Sequence, residues 1–469
     1  MGDPNRAAAR EKHTCCILIA ECICSLSGEL ASGFPGPPEL CAFDRIRRTE
    51  ATGGTYRLVA FLFLEGRMIT VQDVEQAQSR IRDSIYMSPC VRSQTLSQLT
   101  GASLFLKLDN LQMTGAFKER GALNKLMLLN EAERACGVIA ASAGNHAQAV
   151  AYHASRLGVQ STIVMPLTTP LVKVSQTKSH GAEVVLHGAN YDDAYEEARR
   201  RCDEGGLTFV HAFDDDCVIA GQGTVGLEVL QQNPMFDAIV VPIGGGGLIG
   251  GVACAVKETN PRIRVIGVQT SRLPSMKRAV EAGAPVLLDA AQTIADGIAV
   301  RRAGERTLPL VRKYVDEIVT VDEEEIASAI LLLLEREKTI AEGAGAAALA
   351  AMMHHKTDLA GRRVAVLVCG GNIDVTLLSR IIERGLKKDG RLVRLRIHLP
   401  DHPGALVRLA TVIAAQKANI VQTTHDRAHF GVSLSDTVID VQMETRGPEH
   451  VAELCAALRA AGYEYEEVR

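Results

Sequence analysis

Seven short apolar segments, each followed by a stretch of helical periodicity, constrain the fold of this chain more than any other feature. Strands that alternate with helices are typical of α/β folds, in which helices cover both faces of a mostly parallel sheet. Seven strands are more than one small sheet needs, so we expect two lobes with a cleft between them and ligands beyond the carboxyl ends of the strands. The predicted strands are residues 104–108, 137–141, 161–165, 182–186, 238–242, 264–268 and 363–368.

Both ends of the chain depart from this pattern. Regular periodicity begins only after Met68, where Thr70 is expected to cap a helix that runs to about residue 84. The C-terminal residues instead follow the order βαββαβ of a ferredoxin-like unit. We therefore predict a poorly ordered N-terminal extension over residues 1–67, an α/β domain over 68–388 with a smaller lobe at about 137–214, and a separate domain over 390–469.

The charge and cysteine content restrict the classes of partner. The 51 Lys and Arg residues and 55 Asp and Glu residues give a formal net charge of −4. This balance offers no electrostatic reason to expect nucleic acid or an acidic membrane, so a small-molecule partner is expected. The twelve cysteines are scattered without a C-x-x-C pair. Neither a disulfide framework nor a zinc site is indicated, and a reducing, cytoplasmic location fits.

Two apolar segments resemble membrane or export signals but carry contrary features. Residues 238–256 hold no charge and match a membrane span in length, yet four consecutive glycines and Pro242 would break a helix in lipid. Strand, loop and helix are predicted there instead. Residues 15–24 follow three basic residues as the core of a secretory signal would, but Glu21 interrupts them. We therefore assign them to the N-terminal extension.

Lys118 lies between a predicted strand and a predicted helix, in the segment 114–122. A lysine at the N-terminus of a helix faces the positive end of the helix dipole, which disfavours its charged form and favours a nucleophilic amine. Taken alone, a solvated surface lysine explains this position as well. A catalytic role therefore needs a neighbouring anion site to support it.

Such an anion site is indicated by Gly244, Gly245, Gly246 and Gly247, followed by Leu248. The run connects a predicted strand to a helix, and its glycines leave backbone N–H groups free to converge on a phosphate at the helix N-terminus. A simple tight turn would need only one or two glycines. No Gly-Lys-Ser or Gly-Lys-Thr follows, so a nucleotide-binding P-loop is excluded.

A third loop, residues 142–148 with the sequence Ser-Ala-Gly-Asn-His-Ala-Gln, joins another predicted strand to its helix. Its small residues expose backbone N–H groups at the start of the helix, which suits a carboxylate. Asn145 can also hydrogen-bond a ring hydroxyl or an oxyanion. An ordinary N-cap with polar turn residues is equally compatible with this loop.

Residues 221–226, Gly-Gln-Gly-Thr-Val-Gly, match the dinucleotide-binding pattern G-x-G-x-x-G. Only three preceding residues are compatible with a strand, and no acidic residue ends the next strand where a ribose would need it. We therefore expect a structural turn at 221–226. The neighbouring Asp214, Asp215 and Asp216 are expected to be solvated or to cap a helix.

A nucleophilic lysine, a glycine-rich phosphate site and an Asn-containing carboxylate loop together describe a phosphorylated aldehyde cofactor, pyridoxal 5'-phosphate, bound to the lysine as a Schiff base. In their order and spacing, the three motifs resemble those of the threonine/serine dehydratase family of fold-type II pyridoxal-phosphate enzymes. The resemblance covers about residues 68–386. It implies a two-lobed catalytic domain with mostly parallel sheets, similar to the tryptophan synthase β subunit.

The resemblance implies a role for each cofactor-binding residue. Lys118 would hold the cofactor and later remove the α-proton of the substrate as a base. Phe117 would pack beside the ring, and Asn145 would bond the ring hydroxyl oxygen. Glycines 244–247, with the N–H of Leu248, would hold the phosphate.

The resemblance also implies how the substrate is held. Ser142 and the N–H groups around Asn145 and His146 would bind its carboxylate and so orient the bond from the α-carbon to its hydrogen. Cys369 lies in a segment similar to the one that faces the pyridine nitrogen in the family. A thiol cannot support a charged pyridinium as a carboxylate would, which favours prompt loss of the β-hydroxyl. A role for Cys369 as a small buried hydrophobic residue stays open.

Two departures from related serine racemases narrow the expected activity. Those enzymes carry a second serine where this chain has Ala143, and racemisation needs an acid on the far face of the carbanion, so dehydration is favoured. Their divalent metal site begins with a glutamate where this chain has Gln269, followed by Leu273 and Ser275. We therefore predict no metal site of that kind, and a monovalent cation is left open.

In the C-terminal domain, residues 399–406 resemble the Asp-x-Pro-Gly-x-Leu motif of ACT domains, which bind amino acids between domain copies. Asp401 and Gly404 lie in this motif, and Asn419 opens a strand similar to the one that faces it. The glycine would let the backbone approach a ligand. An amino-acid effector is therefore predicted, with a passive dimerisation module as the alternative.

The resemblance implies an L-threonine dehydratase that gives 2-oxobutanoate and ammonia, with L-serine as a secondary substrate, in a homodimer or homotetramer. Serine as the preferred substrate and a serine racemase-like activity are the alternatives of the same chemistry. An amino-acid sensor with a vestigial catalytic fold is a distant third, and a dehydrogenase is the weakest alternative. A biosynthetic role in isoleucine formation and a catabolic role are equally open.

Overall fold

The computed structural model describes residues 67–426 and 436–468. From Met68 onward these residues belong to one compact unit. The predictions made for residues 1–66, including the apolar segment 15–24, lie outside the described part of the chain. Within the described ranges, no helix combines the length and the apolar character that a membrane crossing requires.

The described strands form three sheets: one large, one small and one at the C-terminus. In chain order the strands are β1 (Cys90–Arg92), β2 (Ser103–Leu108), β3 (Val138–Ala141), β4 (Ser161–Met165), β5 (Glu183–Leu186), β6 (Thr208–Phe209), β7 (Ala238–Pro242), β8 (Arg264–Thr270), β9 (Glu317–Val321), β10 (Arg363–Val368), β11 (Leu392–Pro400), β12 (Asn419–Asp426), β13 (Asp436–Glu444) and β14 (Tyr465–Glu467).

The α-helices of the same ranges lie between these strands and cover the sheets. In chain order they are α1 (Val71–Ile81), α2 (Gln94–Thr100), α3 (Lys118–Met127), α4 (Glu131–Cys136), α5 (Asn145–Arg156), α6 (Leu171–Ser179), α7 (Tyr191–Gly205), α8 (Asp216–Gln232), α9 (Gly247–Thr259), α10 (Ser275–Ala282), α11 (Thr307–Tyr314), α12 (Glu323–Arg336), α13 (Gly343–Met353), α14 (Val375–Lys388), α15 (Ala405–Ala415) and α16 (Pro448–Ala460).

The large sheet has the strand order β1-β2-β10-β7-β8-β9, and its strands are parallel except for β1, which pairs antiparallel with β2. Its central strands β7, β8 and β10 are almost wholly buried. Helix α13 contains only Gly, Ala, Leu and Met and packs against these strands. Small side chains let a helix approach a sheet closely, and the residues of α13 belong to the same buried core as these three strands.

The small sheet has the order β5-β4-β3-β6, and all of its neighbouring strands are parallel. Strand β3 is buried on both faces because successive side chains point to opposite sides. Val138 and Ala140 join one core with α5, whereas Ile139 and Ala141 join another with α7. Two mostly parallel sheets therefore confirm the predicted two-lobed α/β class.

Each of the seven predicted strands is present, within one or two residues of its expected ends. The helix expected after Thr70 is also present, with a capping box formed by Thr70 and Asp73, and it ends at Ile81. Three strands were not predicted. β1 and β6 are too short to show a periodicity, and β9 is a half-buried edge strand whose apolar residues are interrupted by Thr320.

The expectation of a structural turn at residues 221–226 is wrong, because these residues lie inside helix α8. A Cβ on Gly221 would lie 2.6 Å from the carbonyl oxygen of Arg120 in α3. A Cβ on Gly223 would lie 2.8 Å from that of Gly251 in α9. The glycines thus allow the backbones of α3, α8 and α9 to pack closely. An interpretation of residues 221–226 as a turn does not predict this helix packing.

The C-terminal sheet has the antiparallel order β12-β13-β11-β14, with helices α15 and α16 in the predicted βαββαβ sequence. Leu395 and Ile397 of β11 pack with residues of both helices in a separate apolar core. Arg391, just before β11, donates to Glu335 of α12 at 2.7 Å. The ferredoxin-like topology is confirmed, while the proposed domain limits at residues 68, 388 and 390 stay a prediction.

Four buried charged side chains connect the large sheet to α3 and α8. Arg120 donates to both carboxylate oxygens of Asp109, at 2.8 and 3.0 Å, and to both of Glu228, at 2.6 and 2.9 Å. Lys107 of β2 also donates to Glu228, at 2.6 Å. Burial raises the pKa of the Asp109 carboxyl, but the charge and hydrogen bonds of Arg120 bring it below its usual value. This network fixes α3 two residues after Lys118.

We expect Glu228→Gln to destabilise the protein, because it removes one anion and leaves two buried cations with Asp109 alone. Breaking a buried ion pair costs about 3 to 5 kcal/mol of stability. The midpoint of urea unfolding, followed by circular dichroism, should therefore fall clearly. Glu324 forms an exposed pair with Arg384, so Glu324→Gln is a matched control that should change stability by less than about 0.5 kcal/mol. Equal midpoints for the two variants would contradict this role of the network.

Candidate active site

The motif residues lie where the carboxyl ends of strands from the two parallel sheets meet. Loops that follow β2, β7 and β10 of the large sheet and β3 of the small sheet carry them, as expected for α/β folds. Hydrogen bonds join the loops, from Lys118 to Ala212 after β6 and from Asn145 to Glu342 before α13. The structure therefore brings together motifs that are far apart in the sequence.

Lys118 is the first residue of α3 and is half-buried. Its Nζ donates to the carbonyl oxygen of Ala212 at 2.7 Å. Removal from water lowers the pKa of this amine from 10.5 to about 8, against the opposing effects of Cys369 and Glu342. Burial is thus the main reason why a larger fraction of the amine is neutral, and hence nucleophilic, near neutral pH.

Phe117 and Cys369 lie beside Lys118. The N–H of Phe117 donates to the carbonyl oxygen of Cys369 at 3.0 Å, and Lys118 Nζ lies 5.2 Å from the centre of the Phe117 ring. Cys369 is buried, and burial raises the pKa of its thiol well above the usual value. The thiol is therefore protonated at neutral pH, so Cys369 can donate a weak hydrogen bond but carries no charge.

Asn145 opens helix α5, and both ends of its amide are hydrogen-bonded. Nδ2 donates to Glu342 Oε1 at 2.7 Å, and Oδ1 accepts from Asn372 Nδ2 at 2.8 Å. Asn372 Nδ2 also donates to the carbonyl oxygen of Thr114 at 2.7 Å. Because an amide nitrogen carries two hydrogens, Asn145 has a second N–H beside the one directed at Glu342.

Sequence reasoning missed both Glu342 and Asn372. Asn372 ends the segment that contains Cys369 but received no role of its own. Glu342 directly precedes the apolar helix α13, where a carboxylate would be expected only to cap the helix. Its position before an entirely apolar and small-residue helix was the available signal, since a carboxyl group buried there requires a polar partner.

Ser142 and His146 shape the loop between β3 and α5. Ser142 Oγ accepts the N–H of Gly144 at 3.2 Å. Burial, followed by the charge of Lys118, lowers the pKa of His146 to about 3, so its ring is neutral and Nε2 donates to the carbonyl oxygen of Val210 at 2.8 Å. The His146 side chain thus anchors the loop, while a Cβ on Gly144 would meet no atom within 4 Å. The loop therefore offers an anion its backbone N–H groups rather than the imidazole.

The glycine run lies between β7 and α9, and Gly247 is the first residue of that helix. Gly246 has a φ of +99°, and a Cβ there would lie 2.7 Å from Thr307 Oγ1. A Cβ on Gly245 would overlap the ring of Phe213. Side chains are therefore excluded from the turn, and the first N–H groups of α9 have no acceptor within the helix, so they are suited to bind a ligand.

These features fit pyridoxal phosphate. The N–H groups of Gly247 and Leu248, in the first turn of a 13-residue helix, are suited to its phosphate. The segment 211–213 links this turn to the lysine, since Ala212 contacts Lys118 and Phe213 packs over the glycine run. A phosphate site and a nucleophilic amine joined by one segment are what a phosphorylated aldehyde requires.

In the cluster Asp214, Asp215 and Asp216, the first two residues cap helices, which was one of the two roles expected from the sequence, and the third forms an ion pair. Asp214 accepts the N–H of Arg306 at 2.9 Å, next to the start of α11. Asp215 accepts the N–H of Val218 at 3.0 Å as the N-cap of α8. Asp216 pairs with the Arg306 side chain at 2.7 Å. The cluster thus positions helices around the glycine run.

Gln269, Leu273 and Ser275, the positions compared above with a racemase metal site, lie at the end of β8 and the start of α10. All three are buried, and Gln269 Oε1 accepts the N–H of Lys277 at 2.9 Å. The amide oxygen therefore binds the backbone. Within residues 67–426 and 436–468, no group of three or more His, Cys, Asp or Glu side chains is arranged to hold a metal ion.

Asp401, Gly404 and Asn419 are exposed in the C-terminal sheet and its loops. Gly404 has a φ of +86° before α15, and a Cβ there would meet no atom within 4 Å. Asn419 is paired with Glu444 at the far end of the sheet from Asp401, because β11 runs from the level of Glu444 to Pro400. One chain therefore does not bring Asn419 to the other two residues.

Comparisons with known proteins identify the family to which this chain belongs. The sequence profile of the family described as "Pyridoxal-phosphate dependent enzyme" matches residues 81–370. An L-threonine ammonia-lyase of Thermotoga maritima is 47% identical over 85% of this chain and 99% of its own length, and that of Geobacter sulfurreducens is 49% identical over 83% and 97%.

Solved structures of similar enzymes share the fold. A threonine deaminase from T.th. is 42% identical with a TM-score of 0.62, covering 65% of this chain and 99% of the other. A maize serine racemase is 34% identical with a TM-score of 0.65, covering 69% and 99%. The two-lobed arrangement is therefore the fold-type II arrangement predicted from the sequence.

We expect Gly246→Ala to weaken binding of pyridoxal phosphate at least about tenfold. An alanine would strain the backbone at this positive φ, and its Cβ would push against Thr307. Cofactor titration of the apo-protein by absorbance would measure this loss, with circular dichroism as a check of folding. Gly283 also has a positive φ, of +76°, but a Cβ there meets no atom within 4 Å, so Gly283→Ala is the matched control. Equal affinities in both variants would show that the glycine run does not hold the phosphate.

Proposed function

Because the chain belongs to the family of pyridoxal-phosphate dependent enzymes, we propose that it is an L-threonine ammonia-lyase that forms 2-oxobutanoate and ammonia. The observation that carries this proposal is the position of Lys118, whose amine has a lowered pKa and donates to Ala212 in the segment leading to the glycine run. The length and identity shared with L-threonine ammonia-lyases support threonine as the substrate.

The mechanism we infer assigns distinct tasks to the residues of the chain. Lys118 would hold the cofactor through its amine and would act as the base that removes the α-proton of the substrate. When bound, pyridoxal phosphate supplies a conjugated ring that takes up electron density from the α-carbon. The carbonyl oxygen of Ala212 accepts a hydrogen bond from the lysine amine and so keeps it in place between these tasks.

The groups around Lys118 favour elimination in this proposal. The N–H groups at the start of α5, with the hydroxyl of Ser142, bind the substrate carboxylate and orient the α-hydrogen toward the base. The protonated thiol of Cys369 carries no charge and would not stabilise a positively charged pyridine ring as a carboxylate would, which favours loss of the β-hydroxyl over reprotonation. Ala143 provides no acid on the opposite side, which supports elimination over racemisation.

Serine is the second substrate in this proposal, because elimination from it requires the same base and the same carboxylate site. We further propose a cytoplasmic homo-oligomer in which the C-terminal sheet binds an amino-acid effector. The separation of Asn419 from Asp401 and Gly404 within one chain supports a site formed between two copies, as in the ACT domains that this segment resembles.

We expect the purified protein to show a visible absorbance band of lysine-bound cofactor and to produce 2-oxobutanoate from L-threonine. Lys118→Ala should lose both, because no other amine can replace its covalent bond to the cofactor. Lys178→Ala, at an exposed position of α6, is the control and should keep both. A band without 2-oxobutanoate would redirect the proposal to serine or to racemisation, and absence of a band would contradict it.

We also expect isothermal titration calorimetry of the full chain to detect binding of isoleucine or valine. Gly404→Val should reduce that affinity, because a side chain would occupy the open space beside the backbone and strain its positive φ. If neither amino acid binds to the unaltered protein, the C-terminal sheet is a passive dimerisation module.

A further inference from the structure

Glu342 is a buried carboxyl group that the mechanism above does not use. It is 5% exposed at the N-cap of α13, and its backbone N–H donates to the carbonyl oxygen of Gly370 at 3.0 Å. A Cβ on Gly370 would overlap the carboxyl group, and a Cβ on Gly297 would lie 3.2 Å from its Oε1. Two glycines thus provide the space that the side chain of Glu342 occupies beside Asn145.

The orientation of the Asn145 amide follows from a chain of three hydrogen bonds. The carbonyl oxygen of Thr114 can only accept, so Asn372 must present its NH2 group there. The same NH2 group donates to Asn145 Oδ1, which directs Nδ2 of Asn145 toward Glu342. A flipped Asn145 would bring two NH2 groups together and would deprive Glu342 of its donor. The neighbours of Asn145 therefore decide which end of its amide is nitrogen.

We propose that Glu342 is a positioning residue that, together with Asn372, holds Asn145 so that it offers an N–H, and not its oxygen, to the ring hydroxyl of bound pyridoxal phosphate. The identity of that ligand rests on the proposed function. A hydrogen bond to the ring oxygen withdraws electron density and stabilises charge that develops on the ring. Glu342 would therefore act on the chemistry through Asn145 without touching the substrate.

The charge of Glu342 should make this restraint depend on pH. Burial and the nearby Asp296 raise the pKa of the carboxyl group to about 7, whereas the bond from Asn145 and the charges of Lys173 and Lys118 lower it. Above that pH the carboxylate accepts a charge-assisted bond, which is stronger than a bond to the neutral acid. The restraint on Asn145 therefore weakens as the pH falls through about 7. The groups that face Glu342 are Lys118 on α3, Asn145 on α5, Lys173 on α6, Asp296 before α11 and Cys369 after β10.

The test is a comparison of holoenzymes carrying Glu342→Gln, Asn372→Ala or the control substitution Glu324→Gln. Glu342→Gln keeps the shape of the side chain but removes its charge and its titration. The visible absorbance of bound cofactor would be recorded between about pH 6 and pH 9, with kcat and KM for L-threonine measured in parallel.

We expect the unaltered enzyme and Glu324→Gln to show a spectral transition near pH 7 that Glu342→Gln lacks. In Glu342→Gln and Asn372→Ala, kcat should fall about tenfold or more, while KM changes less than about twofold, because ring electronics and not substrate binding is affected. The spectral transition and the change in kcat relative to KM separate a positioning role from a space-filling one. The loss of a residue that only fills space would not remove the spectral transition.

Several outcomes would overturn the inference. If Glu342→Gln matches the unaltered enzyme in its spectrum, pH response and kcat, Glu342 only fills space in the core. If the spectral transition near pH 7 persists in Glu342→Gln, another group is responsible for that titration. If Glu342→Gln does not fold, a spectrum and kcat of Asn372→Ala that match the unaltered enzyme would also contradict the inference. A spectral transition without 2-oxobutanoate in the unaltered enzyme would instead refute the proposed function and leave the role of Glu342 standing.

Discussion

The position of the reactive lysine depends on the buried ion network of Lys107, Asp109, Arg120 and Glu228. Arg120 follows Lys118 by two residues in α3, and its guanidinium binds both carboxylates at once. Charged groups without exposed surface are costly to bury unless they are fully paired, so this network fixes one packing of α3 against β2 and α8. The glycines of α8 have a related effect, because they let α8 approach α3 and α9 closely.

Much of this arrangement could be predicted from the sequence, because strands, glycine turns and helix starts have local signatures. The seven strands, the Thr70 cap and the βαββαβ order followed from periodicity and capping residues. The lysine, the glycine run and the loop 142–148 could be proposed as site elements from the sequence, since each has particular residue types at a strand-to-helix junction. Neighbouring residues in the sequence therefore sufficed to predict features that depend on the local backbone conformation.

Residues that act through distant partners could not be found in this way. Glu342 contacts Asn145 across 197 positions in the chain, and Lys118 contacts Ala212 across 94. Residues 221–226 were misinterpreted for the same reason. Their glycines are required by close contact with the backbones of α3 and α9 and not by a local turn. Long-range packing decides these positions, and a motif cannot describe a partner that it does not contain.

Removal from water acts in the same direction on four groups of the site. It lowers the pKa of Lys118 and His146 and raises that of Glu342 and Cys369, so every one of them moves toward its neutral form. A site that suppresses its own side-chain charges must bind anions mainly through backbone N–H groups, and the first turns of α5 and α9 supply them. Backbone N–H groups do not titrate, so the affinity of the site for anions can stay constant with pH. The protonation of the Lys118 amine, in contrast, still changes with pH.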